Sequence, residues 1–376
     1  MQENMAKTFS ISLLSLCLLL HSFLANCTII TPPLVPALYI FGDSLVDSGN
    51  NNQFPTSAKV NYLPYGIDFP NGPTGRFTNG KTSLDFIANF LGLPFIPPYN
   101  GLSIAEKGKT ITGINYASAS AGILRESGTY LNLSPNGLVM QGRNVPLGVQ
   151  IESFKETINL YLPQNFQTND DLSQHLSDSI FAVVIGGNDY INNYLMPTKY
   201  NSSHLYDPNK FAGILLQEFT QHLKNIYNLG ARKFLVYNLS PIGCIPAMVQ
   251  LRNVTHGCAD DINDIAAPYN VGFPGMLEEL RNSLPGSTFV QADIKSSFFL
   301  DHRPFRDGII DSNPCCLTDN ETHQCLKDVP PCTDRFRHVF WDAIHPTQTV
   351  NSLLSIGCFF SHLICTPMNV LDLALL

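Results

Sequence analysis

Three short stretches place chemically capable side chains directly after apolar runs or at a candidate helix start. In Phe41-Gly42-Asp43-Ser44-Leu45-Val46-Asp47, an apolar run passes through a glycine into a serine. A serine at the end of a buried strand raises its hydroxyl over the carboxyl edge of a sheet. A helix starting there would aim its N–H at negative charge, whereas the plain alternative is a helix N-cap serine. In Ile185-Gly186-Gly187-Asn188-Asp189-Tyr190, the glycines permit close backbone approach and Asn188 offers an uncharged amide donor; an ordinary turn asparagine is the alternative. In Phe340-Trp341-Asp342-Ala343-Ile344-His345-Pro346, a carboxylate and an imidazole stand three apart. If that loop curls, Asp342 holds one ring nitrogen while the other faces a nucleophile. Polar residues near a helix cap would give the same pattern.

Each stretch is weak alone, but together they form the parts list of acyl transfer. Ser44 would be the nucleophile, His345 the general base and Asp342 its orienter, with Asn188 and backbone N–H groups for an oxyanion. The order Ser…Asp…His matches that of α/β-hydrolases, yet no Gly-x-Ser-x-Gly occurs anywhere in the chain. Asp43 and Asp47, four apart, could also look like a glycosidase pair. The simpler reading makes Asp43 a brace beside Ser44 and Asp47 a cap for the next segment. No motif calls for a metal or an organic cofactor.

Positioning these groups needs strands, and continuous apolar β-type runs occur at 37–41, 180–185, 233–237 and 288–292. Amphipathic stretches at 83–91, 147–161, 208–229 and 261–283 separate them, and 346–358 reads as a closing helix with Pro346 in its first turn. Short apolar strands alternating with helices predict an α/β fold with a mostly parallel sheet covered on both faces. Ligands in such sheets bind at the carboxyl ends of the strands, where all but the last of these motifs fall.

The balance of 22 Lys+Arg against 30 Asp+Glu gives a net charge of −8 with no basic block. That argues against nucleic acid and against charge-driven binding to anionic membranes. At 44% hydrophobic residues the chain can bury a large core, which excludes bulk disorder. Residues 8–24 are apolar, follow Lys7 and exit through Ala25-Asn26-Cys27. This is the pattern of a secretory signal peptide; the alternative is a retained signal anchor, but the core stretch 11–20 is shorter than the roughly 20 residues a spanning helix needs. The chain therefore reads as a signal at 1–27 and a single domain at 28–376, destined for the extracellular space or cell wall, with no membrane span in the mature chain. The later apolar stretch 353–365 reads as a buried C-terminal helix.

Eight cysteines beyond the signal region (Cys244, Cys258, Cys315, Cys316, Cys325, Cys332, Cys358, Cys365) favour disulfides of open connectivity. Zinc at 315–332 would want a Cys-x-x-Cys, and none is present. Sequons fall at Asn26, Asn132, Asn201, Asn238, Asn253 and Asn320. Asn201, Asn253 and Asn320 lie in polar loops and are candidate glycan sites; Asn238 directly follows a strand and is not.

The motifs FGDSLVDSGNNN, GINYASASAGI (113–123), VVIGGNDY (183–190) and DAIHPT (342–347) occur together, with GARKFLVYNLSPIGCIP (230–246) and PMNV (367–370). In this the sequence resembles the plant GDSL-type esterase/lipase family of the SGNH hydrolases over essentially the whole mature chain. The resemblance implies a flavodoxin-like three-layer α/β/α sandwich and hydrolysis of small-molecule or lipid esters. It also implies a Ser44–His345–Asp342 triad, and an oxyanion hole from the Ser44 N–H, the Asn188 amide and a backbone N–H of the second block. There the chain departs from the family, with Ser120 where glycine is usual; its N–H survives, and Gly122 is the fallback. A second departure is DHRPFRDGIIDSNPCC before the cysteine pair. A secreted acyltransferase using the same residues, or a silent binding member, are the alternatives. Substrate choice would rest on loops 53–80, 95–110 and 300–335, where Phe54, Tyr62, Tyr65, Phe69, Phe77 and Tyr99 either line a groove or peg the loops in place.

Overall fold

Four apolar runs fold as strands: β1 (Leu38–Gly42), β2 (Ile180–Val184), β3 (Lys233–Tyr237) and β4 (Thr288–Ala292). They are parallel neighbours in that order, and β5 (Cys365–Thr366) joins the edge antiparallel to β4. The computed structural model describes residues 32–129, 144–294 and 311–376. The chain divides between Pro33 and Leu34, and the elements discussed all belong to Leu34–Leu376. The expected signal at 1–27 lies outside the described residues, as do the Asn26 and Asn132 sequons and most of the loop before the cysteine pair.

The helices that cover the sheet are α1 (Ser83–Phe90), α2 (Leu147–Glu156), α3 (Asn169–Asp178), α4 (Pro208–Asn228), α5 (Asp260–Ser283), α6 (Gln348–Phe360) and α7 (Val370–Leu375). Successive strand residues part to opposite faces, as the pleat requires. Tyr39, Phe41, Phe181, Val183, Phe234 and Phe289 enter one core with α2, α3, α4 and α5. Leu38, Ile40, Ala182, Val184, Leu235 and Val290 enter a second core with α1, α6 and α7. The result is the expected three-layer α/β/α sandwich.

The segment 112–118 runs beside β1 on its free side. Leu38 N–H reaches the Thr112 carbonyl at 3.1 Å, Ile40 N–H that of Ile114 at 3.1 Å, Tyr116 N–H that of Ile40 at 2.7 Å and Ser118 N–H that of Gly42 at 3.0 Å. Counted as a strand, this segment gives the order 2-1-3-4-5 typical of flavodoxin-like sheets. The topological switch point then falls between β1 and β2, where the carboxyl ends open a crevice. Ser44 follows β1 and Asn188 follows β2.

Several boundaries differ from the sequence reading. The closing helix starts at Gln348, because Thr347 is its N-cap and accepts the Val350 N–H. Pro346 therefore stands outside the helix, its carbonyl accepting the Thr78 hydroxyl at 2.9 Å. The stretch 353–365 is not one helix: α6 stops at Phe360, and Cys365 belongs to β5 while disulfide-bonded to Cys358. Residues 157–161 continue α2 as a π-helical turn. Helices α3 and α7 and strand β5 were not marked by the pattern, α3 because its face holds only Leu172 and Leu176. Among the described residues no helix is long and apolar enough to cross a membrane.

Above the strand ends, a smaller cluster of Val60, Tyr65, Phe77, Ala119 and Trp341 packs around the disulfides Cys315–Cys332 and Cys316–Cys325. Cys244–Cys258 staples a further loop. All eight expected cysteines are thus paired. The sulfurs of Cys315 and Cys332, which approach His338, are spent in a disulfide and leave no zinc site there.

Candidate active site

β1 runs into Gly42, whose φ of +158° is extended backbone and whose Cβ, were there one, would lie 2.3 Å from the Val184 carbonyl oxygen. Only a glycine lets the chain pass β2 this closely. The expected helix start after Gly42 is instead a single turn, with the Val46 and Asp47 N–H groups on the Asp43 carbonyl at 3.2 and 3.0 Å. Ser44 is therefore no N-cap. Its N–H has no acceptor among the described residues, and its side chain lines the cavity at the strand ends.

Asp342 and His345 converge because a tight turn folds the intervening residues back. The Asp342 carboxylate accepts the N–H groups of Ile344 (2.8 Å) and His345 (2.7 Å). Trp341 N–H closes onto the His345 carbonyl at 2.7 Å. The imidazole Nδ1 then meets both carboxylate oxygens at 2.9 and 2.8 Å, while Nε2 lies 2.8 Å from Ser44 Oγ. A carboxylate can only accept, so Nδ1 carries the proton and Nε2 is left to accept from the serine. Both Asp342 and His345 are buried. Burial alone would raise the Asp342 pKa, but the neighbouring His345 charge and hydrogen bonds from His345 and Tyr65 hold it below the usual carboxylate range.

Asn188 follows β2 through Gly186, whose φ of +119° needs glycine. One Asn188 amide hydrogen goes to the Ala121 carbonyl at 3.0 Å, and its oxygen accepts from Asn192. The second amide hydrogen is left for the cavity that Asn188 lines with Ser44 and His345. The second block runs alongside. Its Ser118 N–H is spent on Gly42, that of Ala119 on Asp47 at 3.1 Å and that of Ala121 on Ser118. Within 118–121 only Ser120 keeps an N–H without an acceptor among the described residues. Ser120 takes the left-handed φ of +66° that glycine would favour, and its buried Oγ has no partner among the described residues. Gly122 has a packing reason to be glycine: a Cβ there would lie 2.4 Å from Ser127 and 2.6 Å from the Asp189 carboxylate.

Burial pushes Asp43 up to about 7; the Leu45 N–H and His345 pull the other way, and Asp189 adds to the rise. Asp43 lines the cavity, but Asp47 is buried on the N–H groups of Gly49, Asn50 and Ala119. The two do not face each other across a substrate site, which removes the glycosidase reading. Asp189 accepts from Ile123, Leu124 and Ser127, so the VVIGGNDY block also fixes the second block.

The cavity measures about 690 Å³ and is walled by aliphatic side chains such as Ile185, Ile191, Leu239, Ile242, Ile245 and Ile344. Of the three loops expected to line it, only the last contributes among the described residues, through 312–320; the larger share comes from 237–258 and 339–346. Tyr65, Phe69, Phe77 and Tyr99 are instead buried pegs. Sequence reasoning also missed Gln150, buried on α2, and the contact of Tyr65 with Asp342. For Gln150 a signal existed: it is a lone polar side chain on the face shared by Leu147, Ile151 and Phe154.

A three-layer sandwich with a serine, an imidazole and a carboxylate in hydrogen-bonded series at its switch point defines an α/β hydrolase without the nucleophile elbow. A family model described as GDSL-like Lipase/Acylhydrolase matches residues 38–356. The chain is 42% identical to GDSL esterase/lipase 7 of Arabidopsis thaliana over 91% of its own length and 93% of the relative's. It is 38% identical to GDSL esterase/lipase At1g71691 of the same plant, over 91% and 86%. The chain belongs to the GDSL lipase/acylhydrolase family, and carboxylic ester hydrolysis is the activity that goes with it.

Proposed function

We propose that this chain is a secreted ester hydrolase working through an acyl-enzyme on Ser44. His345 Nε2 takes the Ser44 proton as Oγ attacks the ester carbonyl. The oxyanion forms against the N–H groups of Ser44 and Ser120 and the free amide hydrogen of Asn188. His345 then protonates the leaving alcohol, and a water that it activates releases the acid and restores the serine. Asp342 keeps the imidazole in the Nδ1–H form throughout. The observation that carries the reading is the 2.8 Å approach of Ser44 Oγ to His345 Nε2 inside a mostly aliphatic cavity. The aliphatic wall suits the acyl part of small-molecule or lipid esters.

Four disulfides among the described residues fit an oxidising compartment. On this reading a signal within 1–27 is removed, and Asn201, Asn253 and Asn320, all exposed, carry glycans. Asn238 is buried, donating to Asp293 and accepting from Ile294, which leaves no room for a glycan.

The test is hydrolysis of short- and medium-chain p-nitrophenyl esters by wild-type protein beside Ser44→Ala. Turnover should vanish in a variant that melts like the parent. Turnover retained by Ser44→Ala would end the assignment.

A further inference from the structure

Tyr65 lies outside the cavity, yet its hydroxyl donates to Asp342 Oδ2 at 2.6 Å, on the carboxylate that also holds the His345 ring. The same hydroxyl oxygen accepts the Cys325 N–H at 3.0 Å. The ring is fully buried among Val60, Phe77, Ala119 and Trp341. Cys325 is fixed in turn by its disulfide to Cys316, whose own N–H sits on the Trp341 carbonyl at 3.1 Å, one residue before Asp342. A hydroxyl that accepts from a fixed N–H has its own proton directed at the carboxylate. Burial and the adjacent Asp342 push the Tyr65 phenol well above its usual pKa, so the proton stays in place at any working pH.

We propose that Tyr65 is a positioning residue of the acyl-transfer machinery, linking the Cys316–Cys325 loop to the Asp342 carboxylate and through it to His345. This rests on the triad reading above. By holding Oδ2, Tyr65 stops the carboxylate rotating away from Nδ1. By drawing on its charge, it also tempers the pull of Asp342 on a protonated imidazole. His345 thus remains a base that can both take and return the serine proton.

The experiment is Tyr65→Phe, which keeps the ring in its cluster. A hydrogen bond to a charged group is removed, so kcat should fall about tenfold. KM should hold, because Tyr65 does not touch the cavity. The acidic limb of the kcat/KM profile should move to higher pH, since the carboxylate then favours the imidazolium more strongly. In an Asp342→Ala background the same change should cost no more than about twofold, because its route of action is gone. Tyr62→Phe serves as the control: its hydroxyl reaches Gln324 and the Cys325 carbonyl of the same loop without meeting Asp342. Should Tyr65→Phe not fold, 3-fluorotyrosine at 65 asks the same question with a stronger donor and should move the limb to lower pH. An unmoved limb, an additive double mutant, or an equal kcat loss in Tyr62→Phe would each overturn the proposal. Inactivity of Ser44→Ala alongside such a result would leave the triad reading intact and remove only the role of Tyr65.

Discussion

Gln150 grips the peptide of Gly42 from both sides. Its Oε1 accepts the Gly42 N–H at 2.8 Å, and its Nε2 donates to the Gly42 carbonyl at 2.8 Å and to the Val145 carbonyl at 2.7 Å. The residue two before Ser44 is thereby tied to α2, although 108 positions separate the partners. Gly42 also accepts from Ser118, so one carbonyl joins β1, the second block and α2.

Gln150→Ala leaves that peptide with a buried N–H and weakened carbonyl pairing. The cost should be about 2–3 kcal/mol of stability, read from the urea midpoint at constant slope. Activity should fall further than the folded fraction accounts for, because the turn carrying Ser44 loses its anchor.

On the proposed mechanism Asn188→Ala removes an oxyanion donor, and kcat should drop on the order of 10²–10³-fold with the fold retained. Asn188→Asp is the sharper probe. It keeps the shape but turns the donor facing the Ala121 carbonyl into a charged acceptor, so steady-state assays should find it at least as damaged as the alanine.

Ser120→Gly relieves a non-glycine residue in the left-handed region and deletes a buried hydroxyl that has no partner among the described residues. Stability should rise by about 1 kcal/mol, while turnover stays near the parent's because the N–H is unchanged. A large loss of turnover in thermally sound protein would mean that the hydroxyl itself takes part.

Carboxylates raised by burial make stability fall as pH rises. Between the ordinary carboxylate value and about 7 the folded protein holds the Asp43 proton and the unfolded chain does not. Asp47 and Asp189, each pushed by burial to about 6, act in the same sense over a narrower window. Asp342, held below its ordinary value, works oppositely and costs stability only as strong acid protonates it. Between about pH 4 and 7 these three carboxylates should lower stability as pH rises, opposed by His175, His222 and His323, whose pKa burial lowers, so the carboxylate part is read from chemical denaturation as the difference between parent and Asp43→Asn. Asp43→Asn should abolish the part above pH 6, since its amide oxygen can still accept the Leu45 N–H.

Much of the site was readable because its members are local or follow strands. Asp342 and His345 meet within one turn, and Ser44 and Asn188 sit directly after runs whose apolar continuity marks them as strands of a parallel sheet. The polar supports were not readable. Tyr65 reaches Asp342 across 277 positions, in a loop rich in proline and glycine where periodicity says nothing about burial. The cavity wall escaped for a similar reason: Ile242 and Ile245 belong to a single 3-10 turn after β3 and its cap, too short to show a period, whose direction is set by the Cys244–Cys258 staple and by Asn263 accepting the Gly243 N–H. Helix α6 was displaced by two residues because proline suits a first turn in general, whereas here Thr347 supplies the cap.

Ser44 and His345 stand 301 positions apart. During synthesis the chain therefore carries its serine long before the imidazole that would activate it, and the two meet only when 339–347 settles over the parallel strands. A product truncated after β4 would keep most of the first core but lose α6, α7 and β5 from the second, and with them Asp342 and His345. On the proposed mechanism a chain that ends before 342 has no base to activate Ser44.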